Sequence, residues 1–430
     1  MMNEDWASPK LGVSQIGCLY PIHKENMTII IQYLGGSTDW RGTDPRKVRD
    51  RLQEASAIIP IDILIHGWNL PDELQDICLE ESRSVGARSY LWHPLLADDG
   101  LLNPPAVCRA IGLDGQPVPA YRDLPSFSFI CPNRPFMREV ALPHLRKLAT
   151  SRPYCGIFLD RIRYPSPAPS PDTHLACFCE DCHLIAAEQG IDLECIRRML
   201  HKWLTKPYCH DPFEYIEHLL SRPHHSTLES LDIFLDFRER SVSRLVDDTI
   251  AVLRKDGLQV GLDCFSPMLM RMIGQNLIYL AKNADWIKIM TYGHTSAPAG
   301  IPGELNGLIT WLISNTNYSE TKILAKLAKF LNIPQYPSRS VLSQQGLAPS
   351  NLASETIQAK RLAPDLPIFA GLELVDLPHI APLHTSQIVD DTTAFRAAMA
   401  DGIALSWDLW HIPKKYLQLF RDTWICSTPL

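Results

Sequence analysis

Two kinds of pattern alternate along the chain. Short apolar runs, each ending in polar or aromatic residues, are followed by proline- or glycine-rich loops. Longer stretches come next, with apolar positions recurring every three to four residues. The runs at 27–34, 61–66, 88–93, Gly156–Asp160, Gln259–Phe265, 285–292, 367–373 and 402–408 read as strands. The helical period shows at 71–85, 136–150, 179–203, 231–255, 354–362 and 392–400. Strands that alternate with helices predict a parallel sheet. Eight such units predict a closed (β/α)8 TIM barrel over an open doubly wound sheet. No GxGxxG follows an early strand, which counts against a dinucleotide-binding fold.

Length sharpens this picture. A barrel of this type needs ~250 residues, and the chain has 430. The surplus falls in three excursions, at 94–125, 165–230 and 297–345, after strands three, four and six. The first is expected to close on an extra strand at 126–131. No composition break marks a second domain, so 1–430 reads as one domain with walls built around one mouth.

Parity along each strand then selects the residues that enter the barrel, because successive side chains face opposite sides. With Ile157 and Leu159 facing the helices, Asp160 points inward; the same rule sends Asp263, Glu373 and Asp408 inward from strands five, seven and eight. Strand two, with Ile61, Ile63 and Ile65 outward, is expected to turn His66 inward, with Trp68 just beyond. Reactive groups of barrel enzymes sit at the carboxyl ends of several strands. Several buried acids are costly unless paired, protonated or solvated. A lone strand-end Asp is more often a helix cap or the partner of an Arg, here Arg161 or Arg163. Four converging acids point past that bland reading, and Asp408 carries the least weight.

Trp68, Trp92, Tyr164, Tyr292, Trp407 and Trp410 lie at or just past strand ends. Singly, each would fill a core rim. Together with the acids they suggest a carbohydrate site, with aromatic faces under sugar rings and polar groups on hydroxyls. Hydrolysis of a glycoside needs two carboxyl groups across the scissile bond. Asp160 with Glu373 is the first choice, and Asp263 competes for either role. His66, Trp68, Trp92, Arg163, Tyr164, Tyr292, Asp408 and Trp410 are the expected substrate-binding residues.

Cys177, Cys179 and Cys182 form a C-x-C-x-x-C array in a loop entering a helix, a spacing that suits structural Zn²⁺. A fourth ligand is required. Cys155 lies at the wrong end of strand four. Cys131 is on the correct side and is preferred; Cys108, His174 and His183 are alternatives. Cys18, Cys78, Cys195, Cys209, Cys264 and Cys426 read as small apolar fillers. No secretory signal is read at MMNEDWASPK, so a cytoplasmic protein with mostly free thiols is expected. The net charge of −7 offers no basic stripe for nucleic acid. No apolar run approaches a membrane span. A homo-oligomer is allowed.

The run GIFLDRIRYPSP resembles the strand-four signature of barrel-type glycoside hydrolases, where an apolar strand ends in LD-x-IRYP. CFCEDC is similar to the C-[YF]-C-x-x-C zinc array of family 42 β-galactosidases, which also follows strand four. That family carries its acid/base in an Asn-Glu pair where this chain has Asp160-Arg161. Its nucleophile is a Glu ending strand seven, the position of Glu373. DWIKIMTYGH and GIALSWDLWHIP look like strands six and eight of similar barrels. The resemblance implies a glycosidase acting on an oligosaccharide or glycoside. Two rival readings are a non-catalytic carbohydrate-binding barrel and a metal-dependent hydrolase using His66 with the strand-end acids.

Overall fold

The computed structural model describes residues 27–35, 44–204, 211–222 and 228–426. Eight strands, β1 (Thr28–Tyr33), β2 (Ile63–Gly67), β3 (Arg88–Pro94), β4 (Gly156–Asp160), β5 (Gln259–Phe265), β6 (Trp286–Met290), β7 (Ile368–Glu373) and β8 (Gly402–Ser406), close into a barrel in sequence order. Every pairing is parallel, and β1 meets β8 through Ile30↔Ala404 and its neighbours. The strands are almost wholly buried, as both faces of a helix-covered parallel sheet must be. Helices supply the outer layer. Pro45–Ile58 starts where Asp44 accepts from Arg46 N and proline takes the first turn.

The barrel interior is filled in layers. Tyr90 donates to Gln259 Oε1 at 2.5 Å near the base. Above it, Trp286 stacks on Phe158 at 5.2 Å and tilts against Phe369 at 5.5 Å. Gly261 makes this layer possible, since a Cβ there would sit 2.1 Å from the Trp286 ring. Higher still the lining turns polar, with Gln32, Asp263, Lys288 and Ser406.

The segments between strands differ from expectation in three places. Residues 126–131 form no strand; Phe129 and Ile130 make isolated antiparallel contacts with Ala97 and Arg109. The helix expected over 179–203 is two, Glu180–Glu188 and Leu193–Leu204, because Gly190 at φ +73° ends the first in a left-handed turn. Between β6 and β7 stand four helices, Ile301–Asn315, Glu320–Leu331, Arg339–Gln345 and Pro349–Leu362, of which the periodicity flagged part of the last. No helix among the described residues is long and apolar enough to cross a membrane.

Candidate active site

The carboxyl end of the barrel holds a charged pit. Register places Leu159 beside Leu262, so Asp160 and Asp263, one step further on, are neighbours on the inner face of β4 and β5. Lys288 of β6 lies at the level of Asp263 and donates to Asp263 Oδ2 at 3.1 Å and to Gln32 Oε1 at 3.0 Å. Its ammonium also faces the Tyr292 ring at 5.3 Å. Burial, with the nearby Asp160 charge, raises the Asp263 carboxyl to about 7, against the opposing pull of Lys288. Asp263 Oδ1 is buried without a partner. Asp160 is slightly exposed, its Oδ1 held by Arg161 N at 2.5 Å.

Arg161 adopts φ +51°, a region costly for a side-chain-bearing residue and typical of functional sites. Its guanidinium lies between the Trp92 ring at 5.6 Å and the Phe127 ring at 4.6 Å. Trp92 in turn packs on Trp68 at 4.5 Å, and Trp68 Nε1 donates to Asp99 O. Arg163 is sandwiched by Phe129 and Phe265. Trp407 stands 6.1 Å from Tyr292.

Glu373 lies level with Ser406 at the end of β7 and accepts from His294 N at 2.8 Å. Burial pushes it up to about 7, and its Oε1 has no partner. The His294 ring turns away to pair with Asp391 at 2.8 Å, tying the loop after β6 to helix Thr385–Ala397.

Four expected residues lie elsewhere. His66 does not enter the barrel. Ile65 shares its register with Gln32 and Tyr90, which do, so His66 faces outward to Ser82 and Tyr154. Burial lowers it to about 3, which keeps it neutral. Both faces of β2 are apolar, with Ile63 and Ile65 on the side that enters the barrel and Leu64 beside His66 on the side that meets the helices, so parity alone gave no direction. Tyr164 is fully buried against Arg238, 4.8 Å from its ring centre, and feels the charges of the cysteine cluster. Asp408 accepts from Leu34 N and Trp410 N, the work of a cap. Trp410 packs edge-on to the outward-facing Tyr33. Conversely, Lys288, Gln32 and Ser406 escaped notice. A lone lysine in WIKIM and a lone glutamine in TIIIQY were the available signals.

The second constellation is the cysteine cluster. The sulfurs of Cys131, Cys177, Cys179 and Cys182 all lie within 4.8 Å of one another, and all four residues are buried. Cys131 is 3.3 Å from Cys182 and 3.6 Å from Cys179. Tetrahedral Zn–S bonds of about 2.3 Å set the sulfurs about 3.8 Å apart, so the four fit such an ion. Backbone and amide N–H groups point at them: Ile111 N at Cys177, Asn133 N at Cys131, and Asn133 Nδ2 at Cys182. Among the described residues no other group of three or more His, Cys, Asp or Glu is close enough to hold a metal. With His66 outside the barrel, the ligand set expected for a metal-dependent hydrolase is not assembled. Cys78, Cys195, Cys264 and Cys426 are free, as are the cluster and Cys108, but Cys155 is disulfide-bonded. Cys18 and Cys209 lie outside the described residues.

No protein-family model and no curated protein matches this chain. Solved structures do. The PgaB (BpsB) glycoside hydrolase domain from Bordetella bronchiseptica aligns with a TM-score of 0.50 and 12% identity over 93% of this chain and 99% of its own. The catalytic domain of β-amylase from Paenibacillus polymyxa aligns with a TM-score of 0.51 and 10% identity over 94% and 99%. The α-L-fucosidase isoenzyme 2 from Paenibacillus thiaminolyticus aligns with a TM-score of 0.51 and 10% identity over 93% and 49%. At such identities the likeness is one of fold: this chain is a (β/α)8 barrel whose structural neighbours are glycoside hydrolases.

Proposed function

We propose that this chain is a glycoside hydrolase working with Asp160 and Asp263. The observation that carries the reading is their adjacency on the inner face of β4 and β5, with one of them lifted to about 7. Neighbouring strands lie about 4.8 Å apart. That is the scale of a retaining carboxyl pair, about 5–5.5 Å, rather than an inverting one, about 6.5–9.5 Å. Asp263, protonated near neutrality, gives its proton to the leaving glycosidic oxygen. Asp160 attacks the anomeric carbon and forms a glycosyl ester. Asp263, now a base, takes a proton from the water that releases the sugar. Lys288 and Gln32 hold Asp263 in place. Trp92, packed against Trp68 and Arg161, and Tyr292, facing Lys288, are buried and would serve as the aromatic walls of the pit. The neighbours' fold and the strand-four and cysteine-array resemblances support the same class.

Glu373 is the second candidate acid, favoured by its own rise to about 7 and its unpartnered Oε1. A panel of nitrophenyl glycosides, assayed with wild type and with Asp160→Asn, Asp263→Asn and Glu373→Gln, decides among these. Loss in the first two with activity kept in the third supports the pair. Equal activity in wild type and Asp160→Asn sinks it. Sugar-dependent stabilisation with no turnover in any protein supports the non-catalytic binding barrel instead.

The four cysteines are inferred to hold a structural Zn²⁺. It would supply no chemistry at the pit. Cys131 belongs to the segment after β3, and Cys177, Cys179 and Cys182 to the segment after β4, so the ion would clamp the two together.

A further inference from the structure

Beside the pit lies a cleft of about 220 Å³ whose lining comes from the segments that follow β3, β4 and β6: Tyr121 and Phe127 from the first, Arg163 and Ser166 from the second, Ser296 and Glu304 from the third. Tyr121 and Phe127 meet edge to face at 5.7 Å and are half-buried, so they leave apolar surface open to the cleft.

The two charges here are not equally engaged. Glu304 accepts from the Ser166 hydroxyl and, at 3.0 Å, from Ala299 N. Arg163 is 4% exposed. Its guanidinium has aromatic rings 4.4 and 4.7 Å away, and among the described residues its hydrogen bonding is one bond from Nη1 to Tyr164 O at 3.1 Å. A guanidinium carries five N–H donors in a planar fork that matches a carboxylate. No salt bridge within 4.0 Å closes it onto Glu304, although it feels that charge. A buried cation with most of its donors unmatched, facing a cleft with aromatic walls, is arranged for an incoming anion.

We propose that this cleft is a subsite for an acidic sugar: a uronic acid unit whose carboxylate pairs with Arg163 while its ring lies against Tyr121 and Phe127. The inference rests on the carbohydrate reading above and names the substrate class. Arg163 stands three residues beyond Asp160, so a sugar held here adjoins the bond presented to the pit.

The test is calorimetric titration of the full chain with D-glucuronate and D-galacturonate, against D-glucose and D-galactose. A uronate is expected to bind about tenfold more tightly than its neutral counterpart, and the preference is lost in Arg163→Gln. Because Arg163 is buried, Tyr121→Ala at the rim is the second variant, expected to weaken uronate binding without removing the preference. No uronate binding, equal affinity for the neutral sugars, or binding untouched by either variant overturns the proposal. Asp160→Asn keeps uronate binding. Uronate bound without turnover of any glycoside therefore retires the hydrolase reading alone, whereas turnover of neutral glycosides without uronate preference retires this one alone.

Discussion

Replacing Lys288 with methionine removes a buried cation and leaves its length. Lys288 is 1% exposed and its partner Asp263 5% exposed, with 3.1 Å between them. Where Asp263 is protonated, the loss is the hydrogen bond to Gln32 and the contact with Tyr292, about 1–2 kcal/mol together. Where Asp263 is ionised, the variant strands an uncompensated buried charge, a change that costs about 3–5 kcal/mol. The carboxyl escapes part of this by keeping its proton, so its titration moves up from about 7. A rise of about two units adds about 2 kcal/mol at pH 8.5 that is absent at pH 5.5. The sign follows from linkage. The folded pKa lies above the unfolded one, so the native state binds more protons, and the stability this group contributes is complete below about 3.8 and lost as pH rises through the folded value. Urea midpoints of wild type and Lys288→Met, followed by tryptophan fluorescence at the two pH values, measure the difference. An equal loss at both would refute the coupling between Lys288 and Asp263.

Three other outcomes follow from the same geometry. If Asp263 is the proton donor, kcat/KM falls on the alkaline side with an apparent pKa near 7; activity still rising at pH 9 would exclude it from that role. Purified protein should carry about one zinc per chain by elemental analysis, and Cys131→Ser should lower both the zinc content and the thermal midpoint; full zinc occupancy in the variant would remove Cys131 from the ligand set. Gly261→Ala drives a methyl to 2.1 Å from the Trp286 ring, an overpacking worth about 1–3 kcal/mol. An unchanged urea midpoint would show that Trp286 has room to move.

The chain's own pattern carried the barrel because it is repetitive. Eight apolar runs separated by helical stretches have few ways to bury both faces, and closure in order is the simplest. The cysteine array was legible for a similar reason: three of its thiols are fixed by local spacing, and the fourth needed only the correct side of the barrel. The inward direction of Asp160, the last residue of β4, and of Asp263, two residues before the end of β5, was legible because Ile157 with Leu159 and Val260 with Leu262 claim the opposite face of each strand. His66 was not, since β2 is apolar on both faces, Ile63 and Ile65 on one and Leu64 on the other, and alternation does not say which face enters the barrel. Its direction is set by register with β1 and β3, a long-range quantity.

Sequence by itself thus determined the units, their order and the chemistry available at strand ends. Tertiary structure decided which of those groups share a space. Lys288 reaches across to Gln32 of the first strand, and Arg163 meets aromatic walls brought in by loops remote in the chain. The physical reason is that strand and helix periods are local properties of the backbone. The charge, burial and free volume around a side chain are sums over neighbours that only closure of the barrel brings together.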